Sequence, residues 1–146
     1  MKVAIASDHG GFTLRHVLME HLNSIAVEVL DLGCRSEESV HYPDYASECA
    51  HTILKHDADI GILVCGTGLG MSIAANKVDG IRATVCTSEY MARMARAHNN
   101  SNILCLGERV VGSGIAVDIV NAFIETQFEG GRHQLRIDKI SQLEQP

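Results

Sequence analysis

The chain has 146 residues, enough for one domain with its own core, and its hydrophobic content of 46% and charged content of 21% are ordinary for a globular protein. A formal net charge of −6 argues against broad nucleic-acid binding, and no apolar run is long enough to cross a bilayer. The opening Met1-Lys2-Val3-Ala4-Ile5-Ala6 reads as a strand start and not a signal peptide, because Asp8 and His9 cut the apolar run short; a cytoplasmic location is expected.

In chain order, strands are predicted at Val3-Ala4-Ile5-Ala6, Val27-Glu28-Val29-Leu30, Ile60 to Val64, Ile81 to Cys86 and Asn102 to Leu106. Between them fall helical patterns. Leu14, Val17, Leu18, His21 and Leu22 share one face of the first helix. Ala46, Cys49, Ala50, Ile53 and Leu54 share a face of the second, which has Pro43 at its start. Further helices are predicted at about 71–77, 89–97 and 113–126. Glu129-Gly130-Gly131 interrupts the pattern, and a final helix begins at Arg132 with Ile137, Ile140 and Leu143 on an apolar stripe.

Alternating β and α elements imply an α/β fold: a three-layer, doubly wound, flavodoxin-type sheet of five parallel strands with a C-terminal helix added. The expected strand order is 2-1-3-4-5. Residues 1–146 are then one domain, and the tail over 129–146 is expected to pack on a partner subunit. In such a sheet ligands bind at the switch point, outside the carboxyl ends of strands 1 and 3. Strand 1 ends at Ser7-Asp8-His9-Gly10-Gly11 and strand 3 at Cys65-Gly66-Thr67-Gly68, so these segments should meet there.

The second segment carries the most chemistry. An apolar run ends at Cys65, and Gly66-Thr67-Gly68-Leu69-Gly70 follows. A chain turning from strand into helix presents unpaired N–H groups, and glycine lets a ligand approach them closely. A thiol at that point faces the positive end of the helix, an environment that suits a thiolate. The loop matches neither the dinucleotide fingerprint nor the P-loop. It reads either as a tight turn or as a cradle for a small anion or oxyanion. Cys34, Cys49, Cys86 and Cys105 form no C-x-x-C pair with it or with each other; free thiols are expected, with Cys49, Cys86 and Cys105 in the core. The eight histidines show no metal-ligand spacing, so no metal is expected.

Other positions admit two readings each. Asp8 is either a helix N-cap or, with His9, a proton-handling pair. His98, Asn99 and Asn100 are either a helix C-terminus or a source of an acid/base. Arg109 is a surface charge or an anion contact. Arg132 and Arg136 lie four apart on one helical face, where their charge opposes the helix dipole; they are either solvated or hold a phosphate.

Taken together, Ser7-Asp8-His9-Gly10-Gly11, Tyr42-Pro43-Asp44-Tyr45-Ala46, Cys65-Gly66-Thr67-Gly68-Leu69-Gly70, Ala74-Ala75-Asn76-Lys77, Gly80-Ile81-Arg82-Ala83, His98-Asn99-Asn100 and Gly130-Gly131-Arg132-His133-Gln134 resemble the type B ribose-5-phosphate isomerases. The resemblance covers essentially the whole chain, and seven motifs in order are far more specific than any one. It implies interconversion of ribose 5-phosphate and ribulose 5-phosphate through an enediolate, without metal or cofactor. It makes Cys65 the base, the 66–70 loop the anion hole, Thr67 an aid to proton movement between O1 and O2, and His98 the acid/base that opens the sugar ring. Asp8, His9, Gly66, Gly68, Leu69, Gly70 and Asn99 become substrate contacts, and Arg109, Arg132 and Arg136 hold the substrate, chiefly its phosphate. It also implies a dimer or dimer of dimers with each site built from two subunits. One branch of the family replaces the cysteine base by a glutamate six positions on; here that position is Met71. Many members carry aspartate where this chain has His41, as galactose-6-phosphate isomerase subunits can. The competing expectations are the same chemistry on allose or galactose 6-phosphate, and a non-catalytic anion- or nucleotide-binding module.

Overall fold

Five parallel strands and the helices between them account for most of residues 1–144, which the computed structural model describes. The elements are β1 (Lys2–Ser7), α1 (Phe12–Ser24), β2 (Glu28–Asp31), α2 (Tyr42–Leu54), β3 (Ile60–Cys65), α3 (Leu69–Ala75), β4 (Ala83–Val85), α4 (Glu89–Ala97), β5 (Ile103–Gly107), α5 (Ser113–Glu125) and α6 (Arg132–Gln142). A 3₁₀ turn at His9–Gly11 joins β1 to α1.

The sheet order is β2-β1-β3-β5-β4, so the last two strands exchange places relative to the expected 2-1-3-4-5. Burial explains the exchange. All of Ile103-Leu104-Cys105-Leu106-Gly107 is buried, whereas β4 is three residues long and leaves Thr84 and Val85 partly exposed. The fully apolar strand takes the inner place beside β3, and the short one forms the edge. The step back from β4 to β5 has a second effect under the right-handed crossover rule. It sends α4 to the face that carries α1 and α5, away from α2 and α3. The core divides accordingly. Leu18, Leu22, Ile62, Leu104, Ala92, Ile119 and Phe123 fill one side, and Leu63, Cys49, Ala50, Met71, Ile103 and Cys105 the other.

In α6 only His133 and Ile137 are buried, while Leu135, Ile140 and Leu143 stay exposed. The tail helix therefore covers part of its own protomer and leaves an apolar edge in solvent.

Candidate active site

β1 and β3 deliver their carboxyl ends side by side, as the switch-point argument requires: the Asp8 N–H donates to the Val64 carbonyl at 3.2 Å. Asp8 is buried, and its Oδ1 accepts from the Gly10 N–H at 2.8 Å, so it does cap the turn that follows. His9 is half-buried. Its Nδ1 accepts from the Val40 N–H at 3.2 Å, which in a neutral ring leaves the proton on Nε2. His41, next to Val40, stands exposed at the N-cap of α2.

Cys65 closes β3 with 5% of its surface exposed. Its sulfur accepts a hydrogen bond from the Gly68 N–H at 3.1 Å. Gly68 adopts a left-handed φ of 81°, which folds the amide back over the thiol and starts α3; a side chain there would be strained. Thr67 is exposed, and its hydroxyl accepts from the Leu69 N–H at 3.2 Å. Among the described residues the N–H groups of Gly66, Thr67 and Gly70 take no hydrogen bond. These are unbonded donors on the loop that follows the thiol, the kind of group an oxyanion cradle requires. Two neighbours hold this loop. Gly107 of β5 lies so close beneath it that a Cβ would stand 2.7 Å from the Thr67 backbone, and Arg109 lies over Gly66, with Nη1 3.1 Å from where a Cβ would be. The Arg109 N–H also donates to the Gly66 carbonyl at 3.1 Å.

The remaining cysteines behave as packing residues. Burial, with a smaller contribution from Glu48, pushes the Cys49 thiol up to about 12. Burial also raises Cys86 and Cys105 above the ordinary thiol range, so all three stay protonated. All five cysteines are free.

The other expected site residues lie elsewhere. α4 runs antiparallel to the sheet strands and ends at His98, just before β5 begins, so His98 and Asn99 sit at the amino end of the sheet. The Asn102 carbonyl accepts from the Gly61 N–H at 2.8 Å, which sets this end four residues upstream of Cys65 along β3. At ~3.3 Å per strand residue that is roughly 13 Å along the strand, with the core between. Arg132 and Arg136 start α6 at the same end, exposed, and neither makes an ion pair among the described residues. The expected site residues thus fall into two groups at opposite ends of the sheet: Asp8, His9, Cys65, Thr67, the glycine loop and Arg109 in one, and His98, Asn99, Arg132 and Arg136 in the other.

Glu129, just before the Gly130-Gly131 break, and His133, in the first turn of α6, lie against the His98 group. His133 stacks on His98 with ring centroids 4.1 Å apart and planes 12° from parallel. Glu129 Oε2 lies 3.3 Å from His133 Nε2 and 3.8 Å from His98 Nε2. Burial, then the nearby His98 and Arg132, lower the His133 pKa against a smaller opposing pull from Glu129. His98, Glu129 and His133 have the residue types of a metal site, and their ligand atoms fall within 4.8 Å of one another. Parallel rings, however, aim their in-plane lone pairs side by side and not at one point, which disfavours chelation in this arrangement. Tyr42, at the start of α2, also borders the loop. Its ring lies against Gly70, where a Cβ would meet it at 2.8 Å, so it walls the loop.

Residues 3–140 match a family described as Ribose/Galactose Isomerase. Ribose-5-phosphate isomerase B of Escherichia coli is 49% identical over 144 residues, covering 99% of this chain and 97% of its own. The structure of ribose-5-phosphate isomerase B from Clostridium thermocellum superposes with a TM-score of 0.98 at 52% identity, covering 99% of this chain and 97% of that one. The Mycoplasma genitalium enzyme of the same name, solved with bound ribulose-5-phosphate, superposes at 0.93 with 46% identity, covering 98% and 95%.

Proposed function

The chain belongs to the ribose/galactose isomerase family, and from that premise we propose that the Cys65 half-site of one protomer and the His98 half-site of another together interconvert D-ribose 5-phosphate and D-ribulose 5-phosphate. The protein is an aldose–ketose isomerase. The observation that carries the assignment to Cys65 is its sulfur at the end of β3, held by the Gly68 N–H at 3.1 Å, with unbonded amides on the loop that follows.

Each step follows from what these groups can do. Ribose 5-phosphate arrives as a ring. His98 gives a proton to the ring oxygen O4 as the C1–O4 bond breaks toward that oxygen, the O1 proton passes to water, and C1 becomes a carbonyl. The Cys65 sulfur then takes the C2 proton. The electron pair forms the C1–C2 double bond, and O1 gains the negative charge. The N–H groups of the 66–70 loop face that charge, where preorganised donors stabilise the transition state most. Thr67 assists transfer of the O2 proton to O1. Cys65 returns its proton to C1, leaving a ketone at C2. Asp8, His9 and Asn99 contact the sugar hydroxyls. Arg109, Arg132 and Arg136 hold the phosphate, whose binding energy is remote from the bonds that change and so contributes to catalysis through positioning.

Because the half-sites occupy opposite ends of the sheet, the reading requires a homo-oligomer, a dimer or a dimer of dimers, with the 129–146 tail at the subunit contact. It extends to a cytoplasmic enzyme of the non-oxidative pentose phosphate pathway. Five free thiols suit a reducing compartment.

The test is conversion of ribose 5-phosphate by wild type and Cys65→Ala with EDTA present. Wild-type turnover that falls by about 10³-fold in the variant supports Cys65 as the base. Equal turnover removes Cys65 from the mechanism. Allose and galactose 6-phosphate assayed alongside rank the substrates, and a kcat/KM favouring a hexose phosphate would overturn the assignment to ribose 5-phosphate.

A further inference from the structure

We propose that Glu129 and His133 are positioning residues for ring opening: they hold the His98 imidazole in one plane and keep a proton at its Nε2. This rests on the reading of His98 given above. His98 needs such support. It sits at the exposed end of α4 with 37% of its side chain in solvent, so its own packing does not select one ring orientation. The stacked partner does. His133 is only 7% exposed, and a ring lying 4.1 Å above a buried ring keeps that ring's plane.

Glu129 supplies the charge. Its backbone N–H donates to the Ala97 carbonyl at 3.0 Å, which ties it to the last turn of α4 one residue before His98. Gly130 and Gly131, at φ of 68° and 56°, then reverse the chain, and the His133 N–H donates to the Gly130 carbonyl at 3.1 Å. The reversal brings His133 under His98 and leaves the Glu129 carboxylate facing the Nε2 edge of both rings. A carboxylate bonded to one ring nitrogen fixes which nitrogen carries the proton; Glu129 Oε2 stands 3.8 Å from His98 Nε2, and a small rotation of its half-exposed side chain brings it to bonding distance. His133 Nε2 is buried and completes no hydrogen bond among the described residues. Buried polar atoms are nearly always paired, so the cluster keeps an arrangement that stability alone does not favour.

The two stages of the reaction can be read separately. With O5 esterified, ribulose 5-phosphate has no ring to open, so entry of solvent deuterium at its C1 reports enolisation alone. Conversion of ribose 5-phosphate reports ring opening and enolisation together. Glu129→Gln and His133→Asn should each lower ribose 5-phosphate turnover by about 10- to 30-fold, part of what a general acid contributes, and leave deuterium entry within about 2-fold of wild type. Glu129→Asp should recover part of the loss. Equal losses in both readouts would overturn the proposal, because they would mean general damage to the fold. So would unchanged turnover in Glu129→Gln. His98→Asn separates this from the underlying reading. If His98→Asn itself leaves turnover unchanged, His98 does not open the ring; if it lowers turnover while the Glu129 and His133 variants do not, only the positioning role fails.

Discussion

Gly107→Ala probes the glycine loop from a residue that itself takes no part in the chemistry. The added Cβ would stand 2.7 Å from the Cα, C and O atoms of Thr67, and ordinary contact begins near 3.4 Å. Relief therefore requires a shift of about 0.7 Å between β5 and the loop. The contacting atoms are backbone, so no side-chain rotation absorbs it. β5 is paired with β3 on one side and β4 on the other, whereas the loop leaves the sheet at Cys65, so the loop moves. Overpacking of this kind costs about 1–3 kcal/mol, a fall in Tm of roughly 3–10 °C for a chain of this size. The larger effect is on catalysis. A misplacement of about 1 Å in a positioned site costs on the order of 10²-fold, so kcat/KM should fall by roughly 10- to 100-fold while the protein remains folded at assay temperature. The measurement is steady-state kinetics on ribose 5-phosphate together with a thermal melt. A variant with wild-type kcat/KM would refute the reasoning, since it would show that the loop geometry does not set the rate.

Arg136→Ala should lower kcat/KM by about 10- to 100-fold, the equivalent of one charge-assisted hydrogen bond to phosphate at about 1.5–3 kcal/mol. Mixing Arg136→Ala with Cys65→Ala under conditions that exchange subunits should restore roughly a quarter of wild-type activity, because about half of the dimers are then mixed and each has one intact site in two. No recovery, with mixed dimers demonstrated by mass spectrometry, would place Cys65 and Arg136 in the same subunit's site. A further prediction concerns pH. The His133 pKa is lowered in the fold, chiefly by burial, so the unfolded chain takes up this proton first as pH falls. That group's stability contribution is present above the ordinary histidine value of 6.5 and is lost as pH drops below it. Tm should therefore decline below about pH 6.5 more steeply in wild type than in His133→Asn; parallel profiles would show that His133 does not titrate as its surroundings require.

Local pattern was enough for much of this molecule. Apolar periodicity marked the strands and helices to within a few residues, and the shortfalls are at ends: β4 begins at Ala83 and not Ile81, and α3 begins at Leu69 and not near 71. The pairing of Asp8 with Cys65 followed from alternation of β and α alone, because a right-handed doubly wound sheet brings those two strand ends together whatever the outer strands do. Cys65 and its glycine loop were legible because strand, thiol and loop are contiguous, and contiguous groups need no tertiary information to be neighbours.

What the sequence left open are relations between distant segments. Ile81 to Cys86 and Asn102 to Leu106 are both short apolar runs, and either could lie beside β3. Only packing of all the helices at once gave the inner place to β5 and moved α4 to the face of α1 and α5. Motif order likewise put Cys65 and His98 in a single functional set and was silent on distance. The fold separates them because a helix that returns to the start of the next strand must end at the amino edge of the sheet, opposite the edge where β3 ends. The cluster of His98, Glu129 and His133 depends on the same kind of cause. Two glycines at positive φ turn the chain back on α4, and a carboxylate and a second imidazole, some thirty residues away in sequence, come to rest against the first.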